Sequence, residues 1–166
     1  GNPLYVEELI KVLIEQEIVI KPGTGDGSWH VDEARLAELR VPPTLTGVLQ
    51  ARLDSLPHEQ RTTLQQAAVV GRTFWDLVVQ HIGERTREGW KAANGVPDTA
   101  GSDTTRVRDV LSTLRSRELV AQHEMSAFTG SLEFIFKHAA LREVAYESIL
   151  KKVRRGYHSL VADWLM

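Results

Sequence analysis

Apolar residues recur at spacings of three and four through most of this chain, and that rhythm restricts it to a mainly helical fold. From Pro3 to Glu17, the residues Val6, Leu9, Ile10, Leu13 and Ile14 fall on one helical stripe. Asn2 stands where it can cap that helix, and Pro3 takes the first position, where a missing N–H costs nothing. The same spacing predicts a second helix after Thr44, with Leu45, Val48, Leu49, Leu53 and Leu56 inward. A third starts at Pro57, carries Leu64, Ala67, Ala68 and Val70, and ends at a Gly71 cap. Thr73 can cap a shorter helix bearing Phe74, Leu77, Val78 and Ile82, and Thr105 to Arg117 aligns Val107, Val110, Leu111 and Leu114. Two closing helices, 139–150 and 151–165, carry Leu141, Val144, Ala145, Ile149, Leu160, Val161 and Trp164.

The rhythm breaks in a few places, and each break has its own chemistry. Ile18-Val19-Ile20 and Trp29-His30-Val31 read as short strands around the Gly-rich turn from Lys21 to Ser28. Asp32 to Arg40 holds a short helical turn that Val41-Pro42-Pro43 ends, because residues before proline are pushed out of the helical region. Leu119–His123 and Leu132–Phe136 flank a turn containing Ser126 and Gly130, a second hairpin. Arg85 to Thr104 is polar, Gly-containing and without apolar period, so a long mobile loop is expected there. Three helices followed by a hairpin, from Pro57 to Phe136, is the order of a winged helix. The predicted fold is therefore mainly α with small β-hairpins. Residues 1–56 form a helical segment with a hairpin, 57–138 a winged-helix domain with a polar insertion at 84–104, and 139–166 C-terminal helices.

Winged helices often read DNA, so charge matters next. Twenty Lys and Arg stand against 22 Asp and Glu, a net charge of −2, which supplies no overall basic field. The third helix of the unit carries Arg106, Arg108, Arg115 and Arg117, and Lys151, Lys152, Arg154 and Arg155 form the one concentrated basic run. Phosphate contacts would need several of these on one face, and the wing tip from Glu124 to Ser131 has no Lys or Arg to enter a minor groove. Nucleic acid is thus a disfavoured partner, with Arg106, Arg108, Arg115, Lys151, Lys152, Arg154 and Arg155 as the contacts if it is one.

The sequence predicts no catalysis of its own. It lacks a G-x-x-x-x-G-K-[ST] phosphate loop, G-x-G-x-x-G, H-E-x-x-H and G-x-S-x-G. Gly23-Thr24-Gly25-Asp26-Gly27 sits in a hairpin turn with no helix behind it. The six His are scattered without i,i+4 pairing, which predicts no metal site, and Glu7-Glu8 and Asp32-Glu33 read as solvated faces or first-turn acids. Zero Cys removes disulfides and thiolate chemistry and fits a cytoplasmic location. No apolar run approaches the ~20 residues of a membrane helix. The opening Gly1-Asn2-Pro3 and the closing Trp164-Leu165-Met166 both read as cut ends, so a piece of a larger protein is expected.

Three stretches then resemble one family. Gly1-Asn2-Pro3-Leu4-Tyr5-Val6-Glu7-Glu8-Leu9 is similar to the start of the helical lid in signal-transduction ATPases with numerous domains (STAND ATPases, AAA+/NACHT-like). Arg40-Val41-Pro42-Pro43-Thr44-Leu45, followed by Ala51-Arg52-Leu53-Asp54-Ser55-Leu56-Pro57, resembles their linker. Phe136-Lys137-His138-Ala139-Ala140-Leu141-Arg142-Glu143-Val144-Ala145-Tyr146-Glu147-Ser148-Ile149-Leu150 resembles the segment that follows their wing. The combination is typical of bacterial regulators that join the ATPase to a class III nucleotide cyclase, a protein kinase or a LuxR-type domain.

The resemblance implies a lid and a winged helix that couple ADP/ATP state to output domains. An upstream nucleotide-binding domain would hold the phosphate loop and magnesium, and downstream domains would receive the signal. The residues it assigns to nucleotide are Gly1 and Pro3, at the adenine, and His138, at the β-phosphate of ADP. Related plant resistance proteins have Met-His-Asp at the latter position, and this chain departs from them at Ala139. A helix start and an imidazole N–H both suit an anion there.

Overall fold

Three- and four-residue spacing does produce a mainly α structure: eight helices and two small antiparallel sheets among the described residues. The computed structural model describes residues 2–22, 28–95 and 104–166, and these divide into two units, Gly1–Ser55 and Leu56–Met166.

In the first unit, α1 (Pro3–Glu15) begins at Asn2, whose side chain accepts from the Leu4 N–H at 3.1 Å. Strands β1 (Val19–Ile20) and β2 (His30–Val31) pair antiparallel, and the Gly-rich turn expected at 23–27 lies outside the described residues. Asp32 caps α2 (Glu33–Glu38), and the Thr44 hydroxyl accepts from the Gly47 N–H to start α3 (Leu45–Ser55).

The apolar stripe misplaces the buried face of α1. Val6 and Ile10 are 49% and 45% exposed, whereas Glu8 is fully buried beside Val12. Arg52, also buried, reaches from α3 to Glu8 and, at 3.0 Å, to Glu15. Tyr5, Glu8, Val12 and Glu15 are themselves spaced by three and four, so the ion pairs select a different stripe from the most apolar one. Tyr5 extends it by donating from its hydroxyl to the Pro42 carbonyl at 2.8 Å. Reading Glu8 as a solvated acid is thereby corrected: a carboxylate goes inside when a guanidinium fork meets it there.

The second unit starts with α4 (His58–Val70) and then forms β3 (Thr73–Trp75), where sequence spacing placed the start of a helix under a Thr73 cap. Helix α5 (Asp76–Asn94) follows, then α6 (Thr104–Ser116), β4 (Val120–Gln122), β5 (Glu133–Phe136), α7 (Ala139–Glu147) and α8 (Lys151–Leu165). The expected hairpin is thus a three-stranded sheet in the order β3-β5-β4, with Phe74 opposite Phe134 and Val120 opposite Phe136. Three helices and this sheet follow the element order expected from the sequence for a winged helix, in which the β4–β5 connection is the wing. Phe74 is the reason for the extra strand: fully buried, it stacks on Phe134 at 5.8 Å and tilts against Phe136 at 5.4 Å.

The loop expected over 85–104 is also corrected. Residues 85–94 continue α5, which ends at Gly95 in the left-handed region (φ 66°), and 96–103 lie outside the described residues. This stretch of α5 is largely exposed, so it has no apolar stripe to reveal it. Helix-forming Arg, Glu, Lys and Ala residues carry it instead, with an Arg85–Glu88 pair and Asn94 donating back to the Trp90 carbonyl.

One side chain joins the parts of this unit. Asp76, 1% exposed, opens α5, and its Oδ1 accepts from the Leu77 N–H, the Leu132 N–H and the Ser131 hydroxyl at 2.6–2.8 Å. Its Oδ2 accepts from Arg108 Nε of α6 at 2.7 Å.

Two substitutions test these buried charges. Asp76→Ala should cost about 3–5 kcal/mol in urea unfolding, since it strands several donors at once. Arg52→Leu should cost about 3 kcal/mol by leaving Glu8 buried without its guanidinium, and adding Glu8→Leu should restore most of that loss.

Candidate functional site

The residue after the wing is the chemically most distinctive of the expected contacts. Phe136 donates its N–H to the Arg72 carbonyl and Lys137 to the Leu119 carbonyl, so β5 is fixed up to its last residue. His138 follows as the N-cap of α7, in extended conformation (φ −129°, ψ 134°) and half-buried. Its carbonyl accepts from the N–H groups of Leu141 and Arg142, and its imidazole does not cap the helix. The first turn of α7 contains no acidic residue, so the positive end of the helix meets no carboxylate of its own.

The helix behind His138 is tied down firmly. Arg142, one turn on, donates from Nε to the Ala68 carbonyl of α4 at 2.9 Å and lies over the Tyr146 ring. Gln65 of α4 donates to Ser148 at 2.9 Å. Leu141, Val144 and Ala145 are buried on the same side. Of the other two expected nucleotide contacts, Pro3 is an exposed residue at the first position of α1, and Gly1 lies outside the described residues.

The cations of the alternative interface are mostly engaged within the unit. On α6, Arg106 pairs with Glu59, Arg108 with Asp76 and the Gly130 carbonyl, and Arg115 with Gln122. On α8, Arg154 pairs with Glu147, donates to the Ile149 carbonyl and lies 4.3 Å from the Tyr146 ring centroid. Lys151, Lys152 and Arg155 remain exposed at the start of α8.

The wing itself is folded onto its own domain. Phe128, near its tip, meets Trp75 edge-on at 4.8 Å and Trp164 of α8 at 5.1 Å. Glu133 organises the turn, accepting from the Ala127 N–H at 3.0 Å and from the Trp75 indole at 2.9 Å, with His123 Nδ1 at 2.8 Å. The Ala127 N–H, then the His123 side chain, hold the Glu133 carboxyl below its ordinary value of 4.5. Sequence spacing gave no sign of this clamp, because Trp75, Phe128 and Trp164 are far apart in the chain and lie on no common stripe.

No family model matches this chain, and no curated protein or solved structure matches it significantly.

The clamp has a defined pH response. A carboxyl with a depressed folded-state value stabilises the wing fully above pH 4.5, and that contribution disappears as pH falls through the lower folded-state value. Tryptophan fluorescence followed from pH 6 downward should therefore report loosening of the wing only in acid. Glu133→Gln should loosen the wing at neutral pH and flatten the transition.

Proposed function

We propose that this chain is the helical lid and winged-helix part of a STAND-type signalling ATPase, working as an intramolecular latch whose state follows ADP or ATP. The observation that carries this reading is His138, set at the junction of the wing sheet and an anion-favouring helix start, with α7 bound to α4 behind it. The resemblance of the segments around Pro3, Pro42-Pro43 and His138 to that family supports it.

On this reading the catalytic machinery belongs to an upstream nucleotide-binding domain, and the chain contributes contacts to bound nucleotide. ATP or ADP with magnesium is the cofactor of the whole protein, and the partners are the domains on either side. The intact regulator would work in the cytoplasm; among the described residues no helix is long and apolar enough to cross a membrane.

A ligand shifts a two-state equilibrium only by binding one state better. A charge-assisted hydrogen bond from His138 to the β-phosphate, made only in the closed state, would supply about 1.5–3 kcal/mol and favour closure about 10- to 150-fold. Exchange for ATP would weaken that bond and release the winged helix toward the output domain. DNA reading fits less well, because Arg106, Arg108 and Arg115 are held by Glu59, Asp76 and Gln122, and the wing is clamped by Phe128.

In the intact regulator, His138→Ala should weaken ADP retention about 10- to 150-fold and raise basal output. Unchanged ADP affinity with unchanged output would remove His138 from the mechanism. Steeply salt-dependent duplex binding by this chain would favour the DNA reading instead.

A further inference from the structure

The second unit contains a cavity of about 380 Å³ that the latch does not use, lined by α4, α5, α6 and α8. Its size suits a small organic molecule. Its floor is polar although it adjoins the apolar core formed by Val78, Ile82 and Val161. Thr63, Gln66, Gln80 and Tyr157 line it, and each is more than nine-tenths buried. The Tyr157 hydroxyl is hydrogen-bonded to the Gln66 side chain, and burial pushes that hydroxyl above its ordinary value of 10, so it stays protonated. Four polar side chains from three helices are an expensive way to fill a bundle interior, since each needs a polar partner or costs stability.

Gly83 sharpens the point. Glycine inside a helix costs about 1 kcal/mol relative to alanine. A Cβ at this position would stand 3.6 and 3.8 Å from the Gln66 carboxamide, which is ordinary contact, so packing does not require glycine. Gly83 and Gln66 both line the cavity, so a larger side chain at 83 would lie against the carboxamide. Trp90 stands at the mouth with 61% of its surface exposed. The rim holds two carboxylates, Glu59 and Glu84, and two cations, Arg87 and Arg106; Arg106 pairs with Glu59, and Glu84 accepts from Gln80 at 2.7 Å.

We propose that this cavity binds an uncharged, planar heterocycle with an amide-type edge, a nucleobase or nucleoside, read by the Gln66 and Gln80 carboxamides and stacked on Trp90. A carboxamide offers a donor and an acceptor side by side, which matches the edge of such a ring and discriminates its donor–acceptor order. An exposed indole adds stacking, which tolerates many rings while excluding water from the hydrogen bonds. This site is independent of the nucleotide contact assigned to His138, and its ligand needs no phosphate.

The test uses this chain with adenosine, guanosine, cytidine and uridine, followed by calorimetry and tryptophan fluorescence. At least one nucleoside should bind saturably with Kd below about 1 mM. Trp90→Ala, a substitution at an exposed position, should weaken it about 5-fold or more. Gly83→Leu favours the helix and covers the carboxamide, so it should abolish binding while thermal unfolding shows an intact fold. His138→Ala should leave the affinity unchanged, which separates this site from the latch. If no nucleoside binds below that concentration, or if binding survives both Trp90→Ala and Gly83→Leu, the proposal is overturned.

Discussion

The second unit depends on one buried carboxylate. Asp76 faces the end of the wing through the Ser131 hydroxyl and the Leu132 N–H, faces its own helix through Leu77, and faces α6 through Arg108. Burying a charge is tolerated only when donors surround it, and here they come from its own helix and from two segments remote in sequence, around Arg108 and at Ser131-Leu132. The carboxylate therefore fixes where the wing meets the helices, which hydrophobic contact alone would leave loosely specified. β3 leads directly into this residue, so the short strand and the helix start are positioned together.

That arrangement also decides what the basic residues are for. A third-helix arginine in a winged helix is an obvious candidate for phosphate, yet Arg108 spends its Nε on Asp76 and its Nη2 on the Gly130 carbonyl. Moving it to a phosphate would leave Asp76 buried with one fewer cation, a loss comparable to the gain. Phe128 adds a geometric obstacle, because a wing held between Trp75 and Trp164 is not extended toward a groove. Near-neutral net charge and internally paired arginines are two expressions of one design, in which cations hold the unit together.

Much of the helical architecture was legible from periodicity, and so were the β1–β2 and β4–β5 pairs, because both leave regular apolar marks. The misreadings have a common cause. Glu8 and Arg52 define the buried face of α1, but pattern reading assigns charged residues to solvent unless their partner 44 residues away is known. Residues 85–94 are helical without an apolar stripe because the segment is largely exposed, and propensity alone signals weakly. Thr73 suits a cap or a strand equally, and Phe74 decides by stacking on Phe134 and Phe136 from across the sheet. At the candidate site, the position of His138 before a helix was readable locally, whereas the Arg142 bond to Ala68 and the wing clamp are long-range facts.

The consequence for a latch lies in how α7 is held. Arg142 and Gln65 bind it to α4, while Arg154 lies over the same Tyr146 ring that Arg142 covers, and Tyr146 meets His158 at 2.9 Å. Tyr146 thus links α7 to α8 through the Arg154 guanidinium and the His158 hydrogen bond. A small side-chain network at a surface is soft, but here it is backed by the buried Ile149, Tyr157 and Val161. Close-packed interiors shift between discrete arrangements and do not bend gradually. If bound nucleotide draws on His138, the displacement should reach α8 with α4 and α7 moving as one body, and the clamped wing, fixed to α8 through Trp164, would move with them.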